Sequence, residues 1–318
     1  MYTFSELQIE VGRLAQRSGD SDYLTKIKDW LNLGQKYLAD SYDFWSALQA
    51  SPYSFTSVNG TEKYYLPSDF DKPYRIFDTT NYRKLSWITR EEYFDGNISS
   101  IASSSTGIPQ YASLYGISAV SYVNTSSFTV KVKSSSSSDN TGIVCRVEGW
   151  LDSAKTILGY ESITIDTGSP TTYTSGSVTF YGITKFSKSA DTTGYVTLAD
   201  NSSNILATIA PVDRESRYPI LYLGLIPGGS YTYQILYKKS IKRMVNDNDY
   251  PFMDCSDFLV LYALGYAFHQ EKESESRAQD MWKKANDLMA LLMRNEQDKM
   301  GPGFQHRMTN LTGQTHRF

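Results

Sequence analysis

A helix that is apolar on nearly every face can stand only between several neighbours, and residues 257–268 of this 318-residue chain describe such a helix. Phe258, Leu259, Val260, Leu261, Leu264, Tyr266 and Phe268 cannot all be covered by one packing surface. The residues before it set up its start. Ile220, Tyr222 and Leu223, and then Tyr231, Tyr233, Ile235 and Tyr237, alternate with the period of two that marks a strand. Pro227, Gly228 and Gly229 turn the chain between the two runs. After the acidic stretch 246–249, Asp254 and Ser256 offer side-chain oxygens to the free N–H groups of a helix beginning near Asp257.

The N-terminal region supplies helical neighbours. Thr3 with Glu6 is a capping box, followed by Phe4, Leu7, Val11 and Leu14 on one face of a short helix. A second helix, capped by Ser21 or Asp22, carries Leu24, Ile27, Leu31, Gly34, Leu38, Ser41, Trp45 and Leu48 as a packing seam. Trp30, Tyr37 and Phe44 form a second apolar edge beside that seam, which needs its own cover. Near the C-terminus, Ala278, Met281, Ala285, Leu288 and Leu292 mark a further helix, and Gly301-Pro302-Gly303 breaks it. The remainder, 299–318, is polar and basic and is expected to be a flexible arm.

Between these helices the period changes. Asn59-Gly60 flanked by Tyr53, Phe55, Tyr64 and Leu66 predicts a hairpin. A strand pair is expected over Tyr74–Phe77 and Leu85–Ile88, then a capping box at Thr89 and Glu92. Over 118–213 Ser, Thr and Gly dominate and short alternating runs recur every dozen or so residues, which predicts an antiparallel sandwich with Trp150 in its core. Strand-like sequence on both sides of 118–213 suggests an insertion. The expected fold is therefore α+β: a discontinuous helical body with hairpins and sheet, 1–117 and 214–298, interrupted by the inserted all-β domain.

Composition excludes more than it selects. A net charge of −3 and a pI near 5.7 give no general attraction to nucleic acid or acidic membranes. Apolar residues make up 40% of the chain, enough for a buried core. The longest apolar run is far short of the ~20 residues that span a bilayer, so the chain reads as soluble and unprocessed. Cys145 and Cys255 stand far apart and are expected as buried thiols rather than a disulfide or metal knuckle. Of the three histidines two lie in the tail, which leaves little for general acid–base work or a metal site. The acidic stretch 246–249 lacks the glycine and distal glutamate of a calcium hand and suits turn and cap chemistry. Lys238, Lys239, Lys242 and Arg243 form the densest basic run, either a solvated strand end or a contact for DNA phosphates or an acidic partner.

Several steps in order carry a resemblance: the long second helix ending at Trp45, Tyr64-Tyr65-Leu66-Pro67-Ser68-Asp69-Phe70, Gly107-Ile108-Pro109-Gln110-Tyr111, the aromatic strand 231–237, the 247–249 turn with Pro251, and the final helix pair. In this order they resemble the tailed-bacteriophage head-to-tail adaptor proteins, also called head-completion, connector or tail tubular proteins. The segment 118–213 departs from their smallest members and is similar to the immunoglobulin-like insertions of larger phage proteins. The resemblance implies a structural virion protein of the neck or tail, made in the host cytoplasm, with no enzymatic activity and no cofactor or metal. It implies a ring, usually of twelve identical subunits, docked between the portal and a downstream tail or nozzle protein and enclosing the DNA channel without reading sequence. On this reading His306, Arg307, His316, Arg317 and Phe318 belong to a portal-docking arm, and Trp30, Tyr37 and Phe44 to an intersubunit contact. Two rivals come from other classes: a carbohydrate-binding or adhesive β-module on a helical stalk, favoured by the aromatic content, and a glycosidase with a carboxylate pair.

Overall fold

The computed structural model describes residues 1–17, 19–44, 47, 51–94, 106–122, 126–270 and 275–300, the last four without their side chains. The fold is mixed α+β, with strands outnumbering the helices among the described residues. Its helices are α1 (Phe4–Leu14), α2 (Ser21–Ser41), α3 (Arg90–Phe94), α4 (Ser256–Gln270) and α5 (Glu275–Met300). The chain forms two compact units, Met1–Ala47 with everything from Ile241 onward, and Leu48–Ser240.

In the first unit α1, α2, α4 and α5 share one apolar core. The capping box at α1 is formed: Glu6 N–H donates to Thr3 Oγ1 at 3.2 Å and Thr3 N–H to Glu6 Oε2 at 2.8 Å. Asp20 caps α2, one residue earlier than expected, by accepting from Asp22 and Tyr23 N–H. Helix α2 ends at Ser41 rather than near Leu48, and 45–46 and 48–50 lie outside the described residues. As its sequence requires, α4 is gripped from two sides. On one, Tyr262 packs where a Cβ at Gly34 of α2 would stand, and on the other the Trp282 indole of α5 lies over Gly265. Glycine is needed at both crossings because the facing rings occupy the space of a side chain.

The second unit contains β1 (Tyr53–Thr56), β2 (Lys63–Tyr65), β3 (Phe70–Asp78), β4 (Arg83–Lys84), β5 (Ser86–Trp87), β6 (Thr106–Gly107) and β7 (Tyr111–Ser118). It continues with β8 (Phe128–Ser134), β9 (Val144–Trp150), β10 (Leu158–Thr164), β11 (Thr174–Phe180), β12 (Gly182–Lys188), β13 (Val196–Asp200) and β14 (Ile205–Ile209). The last strands are β15 (Tyr218–Gly224), β16 (Ile226–Pro227) and β17 (Thr232–Lys239). Sheets ordered β1-β17-β3-β4 and β2-β15-β7-β5 share a core that includes Phe70, Ile76, Leu221, Tyr233, Ile235 and Tyr237. The predicted 53–66 hairpin does not form. The Asn59-Gly60 turn is present, with Gly60 at φ 76°, but β1 pairs with β17 and β2 with β15. Tyr64 OH closes the loop by donating to Thr61 O at 2.7 Å, and two strands this short gain more from longer partners than from each other. Likewise β3 pairs with β4, whereas β5 runs parallel to β7.

The alternating runs of 118–213 become two further antiparallel sheets, β10-β9-β12 and β11-β8-β13-β14, around one core of Val130, Val132, Cys145, Val147, Phe180, Phe186 and Leu198, among others. The chain leaves for this segment through β7 and returns through β15, which pair antiparallel from Tyr218↔Ser118 to Gly224↔Tyr111. Trp150 departs from expectation. Along β9, Cys145, Val147 and Gly149 are buried, so alternation turns half-buried Trp150 to the outer face. Glu161 of β10 bridges the sheets by accepting from Ser177 and Val178 N–H, donors freed by the irregular pairing of β11 between Ser175 and Thr179.

Candidate functional site

The acidic stretch is a cap. Carbonyls of Asp249 and Asp247 accept from Phe4 and Ser5 N–H at 2.7 and 3.0 Å, satisfying the first turn of α1. Asp249 Oδ2 accepts from Val245 and Asn246 N–H at 2.7 and 2.8 Å, so its carboxylate is committed to its own turn. Two buried or half-buried amides pin the segment leading there: Gln35 donates to Lys242 O and accepts from Phe252 N–H, and Asn32 exchanges hydrogen bonds with both backbone groups of Met244. These two residues were missed in the sequence because a polar position on a helix gives no sign of a distant backbone partner.

The boundary between the units falls inside the basic run. In the second unit Lys238 is buried and Lys239 half-buried at the end of β17; in the first, Lys242 and Arg243 are exposed, and Arg243 donates to Asp29 Oδ1. The four cations of the run thus differ in exposure, with Lys238 buried and Lys242 and Arg243 at the surface.

The second edge of α2 faces inward. Trp30, 7% exposed, meets Tyr23 edge-on at 5.5 Å and stacks on Tyr266 at 6.4 Å. Tyr37 stacks on Tyr262 at 5.4 Å, and Phe44 is fully buried against Tyr42 and Phe252. Within the subunit, Trp30 and Tyr37, expected at an intersubunit contact, thus pack against α4, and Phe44 packs against Phe252 just before it. His306, Arg307, His316, Arg317 and Phe318 lie outside the described residues.

Exposed apolar surface sits elsewhere. On the outer face of β10, Leu158 and Tyr160 are about 60% exposed, and the Arg146 guanidinium lies 4.2 Å from the Tyr160 ring centre. Near the N-terminus of α4 a groove exposes Leu291 and Tyr2. A second cleft, about 530 Å³, is lined by Phe70, Ile117, Arg214, Glu215 and Arg217, whose charges already pair as Arg217–Glu215 and, outside it, Arg214–Asp191. Cys145 and Cys255 are buried free thiols, each pushed up to about 12 by burial and so unreactive at neutral pH. Among the described residues no group of three or more His, Cys, Asp or Glu is placed to hold a metal ion, and no helix is long and apolar enough to cross a membrane.

One comparison speaks to what those surfaces serve. The family model described as SU10 adaptor protein, a phage adaptor family, matches residues 2–140. That is less than half of the chain, and it takes in α1, α2, the 64–70 and 107–111 steps and the first strand of the two-sheet segment. The match supports a phage adaptor protein with a structural role; the adaptor family in general implies portal and tail neighbours and the virion neck. No curated protein matches the chain.

Proposed function

We propose that the chain is a head-to-tail adaptor of a tailed phage, assembling as a twelve-subunit ring between portal and tail and extending the DNA channel. The observation that carries this reading is the adaptor-family match over 2–140. Segment 118–213 is an immunoglobulin-like insertion in a discontinuous body; its entry and exit through the paired strands β7 and β15 support that division. Residues 301–318, which carry Arg307, Arg317 and no acidic residue and end in Phe318, are the arm that engages the portal. Heterologous contacts close the ring, one subunit's patch meeting a different patch of the next. Exposed Leu158 and Tyr160 suit such a contact better than Trp30 and Phe44, which are buried within the subunit.

The experiment is reconstitution. Purified chain mixed with portal rings of the same phage is expected to co-sediment with them and to appear as an added ring in negative-stain images. Deleting 301–318 should weaken that association while leaving the far-UV spectrum of the helices in place. A chain that stays in the supernatant at micromolar concentrations of both partners contradicts the adaptor reading; equal binding with and without 301–318 removes only the arm.

A further inference from the structure

Each sheet of the 118–213 segment ends in edge strands, and an edge presents backbone N–H and C=O groups that invite another chain. Most of these edges are closed. On β14, Ser121 N–H donates to Leu206 O, and the Tyr218 hydroxyl accepts from Thr208 N–H and donates back to Thr208 O. On β12, Lys188 N–H donates to Arg214 O and Phe186 O accepts from Ser216 N–H. On β11, Glu161 takes the Ser177 and Val178 N–H groups.

The edge of β10 is open. Leu151 N–H donates to Ile157 O at one end of the β9–β10 ladder and Ile165 N–H to Ile143 O at the other, both at 2.9 Å, and the register between them is unbroken. Hydrogen-bonded pairs alternate along an antiparallel ladder. Ile157, Gly159, Glu161, Ile163 and Ile165 therefore direct their backbone groups at β9, and Leu158, Tyr160, Ser162 and Thr164 direct theirs away from it. Among the described residues these outward groups meet no hydrogen-bond partner. Ser162 and Thr164 are exposed, as are Leu158 and Tyr160. The strand holds neither lysine nor proline, which ordinarily protect an edge, and its only charge, Glu161, is turned onto β11.

We propose that two free copies of the chain associate through this edge, β10 against β10, antiparallel about a two-fold axis. The outward N–H and C=O groups fix the kind of partner, because only an extended main chain matches their spacing. The side chains point to a second copy and set its register. With Tyr160 opposite its own counterpart the rings form a cross-strand aromatic pair, Leu158 faces Ser162, and Glu161 faces Gly159, which has no side chain. Centring the pair on Glu161 instead would oppose two carboxylates. A patch that matches itself in this way is what a two-fold contact requires. The pairing rests on the β10 edge alone and belongs to the free chain, so it holds or fails independently of ring and portal.

Sedimentation velocity of the purified full-length chain over a concentration series is expected to show a monomer–dimer equilibrium. Ser162→Pro removes an N–H that points away from β9 and so spares the fold. It should melt as the native chain does and dimerise about tenfold more weakly, since the two-fold axis doubles the lost hydrogen bond. Tyr160→Cys reads the register: directly opposed residues stand ~5.5 Å apart between Cα atoms, within reach of a disulfide, so mild oxidation should link this variant into dimers. Ser162→Cys, which does not face its own counterpart, should stay unlinked. A native chain that remains monomeric throughout the series overturns the proposal, as does a folded Ser162→Pro chain that dimerises like the native one. Failure of Tyr160→Cys to link, or linking of Ser162→Cys to the same extent, overturns it even where Ser162→Pro does not fold.

Discussion

Replacing Trp30 by glutamate is expected to unfold the helical unit. Loss of a buried tryptophan costs about 3–5 kcal/mol. The Trp30 ring is held between Tyr23 and Tyr266, so the new carboxylate would stand between aromatic rings. Burying an unpaired charge adds several kcal/mol or forces the helix open. Against a total stability of roughly 5–15 kcal/mol, that leaves little. Far-UV circular dichroism should show most helical signal lost at room temperature, while Trp30→Phe should keep it. A Trp30→Glu chain with native helicity and an unshifted melt would restore Trp30 to the surface and to a contact with a neighbouring copy.

Replacing Lys188 by methionine should be nearly as damaging to the β-rich unit. Its ammonium is buried and donates to Ala210 O at 2.8 Å, Pro211 O at 2.6 Å and Thr192 Oγ1 at 2.5 Å. Asp191, Asp213 and Asp139 act on it favourably and Arg214 unfavourably. Burial alone would raise the Asp139 carboxyl, but hydrogen bonds from Ser134, Thr193 and Gly194 hold it below the usual range and keep it anionic. Removing this buried cation takes a charged donor from the two carbonyls and leaves the buried Asp139 carboxylate without its favourable neighbour, a change worth about 3–5 kcal/mol. Deprotonation acts in the opposite direction from deletion. Burial pushes Lys188 down to about 8 from 10.5, so between those values the unfolded chain holds a proton that the folded chain has released. Stability contributed by this group therefore rises with pH across that window and is flat below it. The neutral amine keeps two N–H donors, enough for the Ala210 and Pro211 carbonyls. Denaturant midpoints measured from pH 7 to 10 should show this rise in the native chain and not in Lys188→Met; parallel curves would show that Lys188 is not the group responsible.

Much of this architecture was legible because it depends on local period. The runs in 118–213 alternate with period two and became strands almost where the alternation lay, and the all-round apolar character of 257–268 correctly required neighbours on more than one side. What failed depends on partners. Asn59-Gly60 specifies a turn but not which strands pair across it, and β1 and β2 found longer mates in different sheets. Trp30, Tyr37 and Phe44 were visible as an edge, yet a helical wheel cannot tell cover by the same subunit from cover by another. Trp150 was assigned to the core by size, whereas its parity with Cys145 and Val147 along β9 would have placed it outside. Lys188 gave no signal, since its role comes from carbonyls more than twenty residues away.

The central claim is a location, and electron cryomicroscopy of virions carrying an epitope-tagged copy of the chain measures it. The account predicts tag density as a ring at the single vertex that joins head to tail, between portal and tail, in every mature particle. Tag density spread over the capsid shell, confined to the tail fibres or absent from purified virions would contradict it.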